Sequence, residues 1–290
     1  MKAVRMYAPR DLRVEEVDIP SYEADECLIK VMAVGVCGSD IPRVNQYGAH
    51  VSPIIVGHEF GGQIVKTGDK VTKFKAGDRV TCPPLIPCFK CKYCEMGEYS
   101  LCEDYDYYGS RRDGAFAQYI AVKEGNLLKL DDKVSYEDAA TTDPCANALH
   151  SMMIGEFKPG DSVCVYGAGP IGLFAVQYAK IKGASKIIAV DVWEEKLEMA
   201  KKNGADVVIN SMKEDAAAKV MEVTGGNGAD IVIDYSGAPI CQKAAINSAA
   251  KLGKVVFLGI SHQGLELSEK EVDKLSLIHI SEPTRLDVIS

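Results

Sequence analysis

Ser162-Val163-Cys164-Val165-Tyr166-Gly167-Ala168-Gly169-Pro170-Ile171-Gly172 reads as an apolar strand that runs into a glycine turn and opens a helix. Glycines at the first, third and sixth positions of a turn are a weak signal alone, and the strand before and helix after give them weight. The first, Gly167, allows the tight turn. The second, Gly169, lets the backbone approach a pyrophosphate, and the third, Gly172, lets helix and strand pack closely. With Pro170 and Ile171 opening the helix, its free N–H groups and positive dipole end face the phosphates. The next strand ends at Asp191, 19 residues beyond Gly172. A carboxylate there accepts hydrogen bonds from ribose hydroxyls and repels a 2′-phosphate, so the expected cofactor is NAD.

Downstream of this turn the chain alternates between strand and helix. Strands are expected over 186–190, 207–209, 230–235 and 254–258, with helices over 171–182, 194–203, 214–223 and 240–250. The strands are apolar on both faces, as in Val255-Val256-Phe257-Leu258, which suits a parallel sheet covered by helices on both sides. Upstream, Ser135-Tyr136-Glu137-Asp138 looks like a helix start, and the apolar period continues past Pro144 to about Ile154. Before residue 135 the texture is different: short β-type runs such as Cys27–Val36 and Arg79–Cys82 are broken by Gly, Pro and Asp. The chain therefore reads as α/β, with a β-rich first domain over 1–142 and a doubly wound parallel-sheet domain over 143–274.

The whole composition narrows the function. A chain of 290 residues with 47% hydrophobic and 26% charged residues suits a globular protein of two domains. A net charge of -8 disfavours nucleic acid as a partner. No apolar run is long enough to span a membrane, and Met1-Lys2-Ala3-Val4-Arg5 opens directly into strand-like alternation. A cytoplasmic setting is expected.

Of ten cysteines, four fall in Cys88-x2-Cys91-x2-Cys94-x7-Cys102. Four thiolates at this spacing surround one tetrahedral zinc and leave no open position, so the expected role is structural. A zinc-ribbon contact to nucleic acid is the functional alternative, with Lys90 and Lys92 between the cysteines, but the acidic whole opposes it. Cys37, in Gly35-Val36-Cys37-Gly38-Ser39-Asp40, and His58-Glu59 after Gly57 form a sparser set. A thiolate and an imidazole with room for a carboxylate or water make an open, Lewis-acidic zinc site. Taken by themselves, a lone Cys and a lone His are more often core residues than ligands.

With these motifs in family order, the chain resembles the zinc-containing medium-chain dehydrogenases of the alcohol/sorbitol dehydrogenase branch, from Met1 to about residue 274. The resemblance implies a GroES-like catalytic domain followed by a Rossmann NAD-binding domain, two zinc ions per chain, and hydride transfer between a secondary alcohol and NAD. It makes Cys37 and His58 catalytic zinc ligands and Glu59 a carboxylate at or beside the zinc. Adjacent strand residues point to opposite faces, so His58 and Glu59 share a metal only if the backbone bends there. Asp143 falls where polyol-type relatives carry a Glu near the zinc, one methylene longer. Ser39 matches the hydroxyl that takes the alcohol proton, while Pro42 stands where relatives carry a relay histidine.

The stretches Cys37–Arg43, Gly48-Ala49-His50, Pro84–Phe89 and Gly109–Gly114 are similar to the polyol-phosphate members of the family. They imply oxidation of a polyol phosphate, of the galactitol 1-phosphate type, to a ketose phosphate. Arg43, Arg111 and Arg112 are candidate phosphate ligands, because guanidinium groups bind phosphate bidentately. Solvated arginines in a polar loop are the alternative, and His50 and His150 read as packing or surface residues. A free polyol (sorbitol or L-iditol), butanediol or threonine as substrate stays open, as does a non-catalytic NAD-binding zinc protein. The family also implies a homo-oligomer.

Leu275–Arg285 fits neither the next strand of the sheet nor the family. It matches one reading frame of a transposon-type sequencing adapter, so 275–290 is expected to be foreign and the natural chain to continue differently.

Overall fold

Alternating apolar and polar residues build the first of two units, Met1–Asp143, and a second begins at Pro144. The computed structural model describes residues 1–261, 263–269 and 271, with the backbone alone of 279–281. In the first unit the chain runs through β1 (Lys2–Ala8), β2 (Asp11–Glu16), β3 (Glu26–Gly35), the turn α1 (Asp40–Pro42), β4 (Ile54–Ile55) and β5 (Glu59–Thr67). It continues with β6 (Arg79–Thr81), β7 (Leu85–Ile86), α2 (Lys92–Glu95), β8 (Asp106–Tyr107), β9 (Tyr119–Lys123), β10 (Leu128–Lys129) and α3 (Tyr136–Ala140). The main sheet is antiparallel in the order β10-β6-β5-β3-β9, with a smaller sheet β2-β1-β4 and the pair β7-β8. Cys27, Ile29, Phe60, Ile64, Val80 and Ile120 form its core.

One continuous helix was the expectation from Ser135 to Ile154; the structure has two. Ser135 caps α3, its hydroxyl accepting from the Asp138 N–H at 2.9 Å while Asp138 reaches back. The second, α4, spans Thr142–Ile154. Pro144 has no N–H to extend the ladder of α3, but it is tolerated in the first turn of a new helix.

In the second unit the strands are β11 (Ser162–Tyr166), β12 (Lys186–Asp191), β13 (Val207–Asn210), β14 (Ala229–Asp234), β15 (Ala249–Phe257) and β16 (His279–Ser281). Helices α5 (Pro170–Ile181), α6 (Glu194–Asn203), α7 (Ala216–Val223) and α8 (Pro239–Ser248) connect the first five. The order β13-β12-β11-β14-β15-β16 reverses between β11 and β14, the switch point of a doubly wound fold. Alternate residues of β11 serve different cores. Val163 and Val165 pack with Ala175, Ala179 and Ile187 on one face, and Cys164 and Tyr166 with Val220, Ile246 and Val255 on the other.

The run 275–290 lies outside the described residues except for the backbone of β16, which pairs in parallel with β15 from Lys254↔His279 to Val256↔Ser281. That corrects the expectation that this run supplies no strand. An open sheet edge presents unpaired N–H and C=O groups that a short β-prone run can take. Among the described residues, no helix is long and apolar enough to cross a membrane.

Candidate functional site

Three donors from two strand ends meet in the first unit. β3 ends at Gly35 and the chain turns through Cys37 into α1, while β5 begins at Glu59. Gly57 holds a φ of +91°, and a Cβ there would lie 2.8 Å from the Phe116 ring. His58 precedes the first residue of β5, Glu59, so the strict alternation of a strand does not bind this pair. The ligand atoms of Cys37, His58 and Glu59 all lie within 4.8 Å of one another. Ser39 Oγ donates to Cys37 Sγ at 3.3 Å, and the His58 ring stands edge-on to Tyr107 with centroids 5.7 Å apart.

Burial sets the electrostatics. It pushes the Cys37 thiol up to about 12, reinforced by Glu59, and the Glu59 carboxyl up to about 7, reinforced by Asp143. Burial also lowers the His58 imidazole, against the opposing pull of Asp40. A divalent cation reverses the first two directions, because it stabilises thiolate and carboxylate. Soft sulfur, imidazole and one carboxylate converging on one point fit an open zinc site. Asp143, in the first turn of α4, stands outside the three-donor cluster but acts on it through its charge.

The four cysteines of the loop bring their sulfurs within the same 4.8 Å limit. Cys88 and Cys94 Sγ are 3.9 Å apart, close to the roughly 3.8 Å separating thiolates on a tetrahedral zinc with bonds of about 2.3 Å. The Glu103 and Cys94 N–H groups pull the Cys91 thiol down to about 6. All ten cysteines are free thiols. This donor set fits a closed structural zinc.

At the glycine turn, Gly167 has a φ of +94°, and a Cβ on Gly172 would lie 2.0 Å from the Gly167 carbonyl oxygen. A Cβ on Gly169 would meet no atom within 4 Å, which leaves open space before the N-terminus of α5, where Pro170 and Ile171 begin the helix. Asp191 is committed to this loop. Its Oδ2 accepts from the Ala168 N–H at 2.8 Å, and its Oδ1 accepts from Val192 and Trp193 at 2.7 and 3.0 Å. Lys196 Nζ lies 3.8 Å from Oδ2. The turn and acid fit a dinucleotide.

The three arginines diverge. Arg43 is 2% exposed and pairs with Asp40 at 2.8 Å. The expectation that it meets a substrate phosphate is corrected, because a buried guanidinium already matched to a carboxylate has nothing to offer a ligand in solvent. Arg111 stacks 4.5 Å over the Tyr105 ring and donates to its hydroxyl. Arg112 lies 3.2 Å from Asp106 and 3.6 Å from Glu26. His50 and His150 are exposed. Asp40, which the sequence reading left without a role, accepts the Cys37 N–H at 3.0 Å and faces His58 at 3.5 Å. The signal for it was an acid three residues after Cys37 and an arginine three further on.

Comparison with known proteins gives the family. Residues 23–132 match the alcohol dehydrogenase GroES-like domain and residues 170–284 the zinc-binding dehydrogenase domain. Sorbitol dehydrogenase from Bacillus subtilis (strain 168) is 37% identical over 269 residues, 91% of this chain and 76% of the relative. The crystal structure of galactitol-1-phosphate dehydrogenase from Escherichia coli superposes with a TM-score of 0.93 at 36% identity, covering 98% of this chain and 83% of that one. A protein from Sinorhizobium meliloti 1021 described as a zinc-binding dehydrogenase, bound to NADP, gives a TM-score of 0.91 at 29% identity over 98% of this chain and 84% of that one. Zinc and a nicotinamide cofactor are therefore this chain's reagents, and it belongs to the zinc-type medium-chain alcohol dehydrogenases, oxidoreductases that act on CH–OH groups.

Proposed function

We propose that this enzyme oxidises a secondary alcohol of a polyol phosphate, of the galactitol 1-phosphate type, to the ketose phosphate with NAD. The observation that carries the reading is the cluster of half-buried Cys37 with buried His58 and Glu59, in a chain 36% identical to a galactitol-1-phosphate dehydrogenase over 98% of its length. Cys37, His58 and Glu59 would hold the zinc, which would supply Lewis acidity towards the substrate hydroxyl, and the bound nicotinamide would supply the hydride acceptor. Ser39 offers its hydroxyl oxygen to the departing alcohol proton, oriented by its hydrogen bond to Cys37 Sγ. Pro42 has no side-chain acceptor to pass that proton on, so it leaves through solvent or another group. Asp191 keeps acceptor capacity beyond the three N–H groups it holds, enough for a ribose hydroxyl. Its charge disfavours a 2′-phosphate and supports NAD over NADP, with Lys196 the group that opposes this preference.

A free polyol is the second reading. The sorbitol dehydrogenase relative favours it, as do the tyrosine and carboxylate partners that already occupy Arg111 and Arg112. The zinc-loaded enzyme is assayed for reduced nicotinamide with galactitol 1-phosphate, galactitol and sorbitol, using NAD and NADP in turn. Turnover confined to the phosphorylated polyol, with KM raised at least about tenfold in Arg111→Ala or Arg112→Ala, supports the first reading. Equal turnover of the free polyols discards it and leaves the chemistry standing.

A further inference from the structure

Among the described residues, Arg43 is the only fully buried lysine or arginine. Removing a guanidinium from water costs several kcal/mol unless its partner is well placed. Its partner is Asp40, itself 2% exposed and 2.8 Å away. The remaining acceptor capacity of Asp40 is directed at both first candidate zinc donors. Oδ2 receives the Cys37 N–H at 3.0 Å, and Oδ1, which pairs with Arg43, stands 3.5 Å from His58 Nδ1. That nitrogen is buried and has no hydrogen-bond partner. With Nδ1 turned to Asp40, Nε2 is the nitrogen left for a metal.

The charges explain why a cation belongs there. Glu59, Asp143 and Asp40 crowd carboxyl groups beside the Cys37 thiol, which a divalent cation would deprotonate, and Arg43 is the buried counter-charge on the protein side. It sits in one turn of wide helix, Arg43–Tyr47, whose last N–H, from Gly48, donates to the Arg43 carbonyl at 2.8 Å. Backbone and side chain are thus both fixed.

We propose that Arg43 is a positioning residue. It clamps the Asp40 carboxylate so that one oxygen faces the His58 ring while the other holds the Cys37 backbone, and so sets the angle at which two zinc ligands meet. The inference rests on the zinc-site reading above and adds to it a residue that touches neither metal nor substrate.

The test titrates the zinc-loaded full chain with a chromogenic chelator and records the visible spectrum of the cobalt-substituted chain. Wild type should release two classes of metal. Arg43→Met should release one class about 10- to 100-fold more readily, with the four-cysteine class unchanged. Its cobalt spectrum should shift, and Arg43→Lys should recover part of the affinity. Wild-type release and an unshifted spectrum in Arg43→Met would overturn the proposal. If Arg43→Met loses both metals through misfolding, Arg43→Gln, which removes the charge but keeps a buried donor for Asp40, decides. A weakened first class beside an intact four-cysteine class supports the clamp, and wild-type release of both overturns it. A wild-type chain that binds only the four-cysteine metal would instead sink the catalytic-zinc reading itself.

Discussion

Gly35 shows how much of the site depends on a missing side chain. It is the last residue of β3 and pairs with Glu59, and a Cβ added there would lie 2.7 Å from Glu59 Oε2. Gly35→Ala should force the carboxylate aside, weakening zinc at the Cys37 cluster at least about tenfold without loss of secondary structure. Unchanged zinc affinity by chelator competition would show that Glu59 is no ligand. At Asp78 the consequence is for stability. The Lys129 ammonium at 2.8 Å, helped by the Lys75 N–H, holds the Asp78 carboxyl below its usual range. A folded pKa below the unfolded one stabilises the protein above about pH 4, and the contribution is lost as pH falls through the folded value. Lys129 is 60% exposed, so screening limits this to about 1 kcal/mol or less. Asp78→Asn should flatten the acid limb of the stability curve, and denaturant melts between pH 3 and 7, a range of about four units around the usual carboxylate value, would reveal it. Residues such as Cys37 and His58 were legible only through their order along the chain, because a lone thiol and a lone imidazole carry no spacing of their own. The burial of Arg43 against Asp40 is not legible in the sequence, because it depends on a one-turn wide helix that leaves no periodic trace.

Whole elements were easier to read. Helix α6 and strand β11 have the bounds their patterns predict, since each is flanked by turn-forming residues and apolar on the faces it buries. β15 starts at Ala249 rather than near Lys254, because α8 ends at Ser248 and the chain passes directly into the ladder, with Leu252 at a φ of +62°. The cysteine loop is the opposite case: its spacing was plain, but its fold could not follow from periodicity. None of its residues from Cys88 to Cys102 belongs to the cluster that contains Cys82, Ile86 and Tyr108, although Cys94 and Cys102 are themselves buried. A zinc ion on the four sulfurs would add order that this cluster does not supply. Cys91→Ser should open this loop to protease at least about tenfold faster while the Rossmann-type sheet resists as before. Limited proteolysis followed by mass analysis would locate the cuts, and a loop that stays intact would mean its own hydrogen bonds suffice.

At the scale of the whole molecule, the two units differ in how their chemistry is supported. The first gathers its donors at strand ends and turns, so its site was visible only in outline. The second follows a sheet order that the alternation of strand and helix already implied, with the glycine turn at the point of reversal. β11 lies at the centre of that sheet, paired on both edges and covered by a separate core on each face. Its amides should be among the last to trade hydrogen for deuterium, opening only when the unit unfolds globally. Mass-resolved exchange in which residues 163–166 label as early as α7 would contradict this. The glycine turn begins one residue beyond that strand, so the phosphate-facing backbone hangs from the slowest clock in the fold. A dinucleotide binding there would meet a backbone anchored to the strand expected to open last.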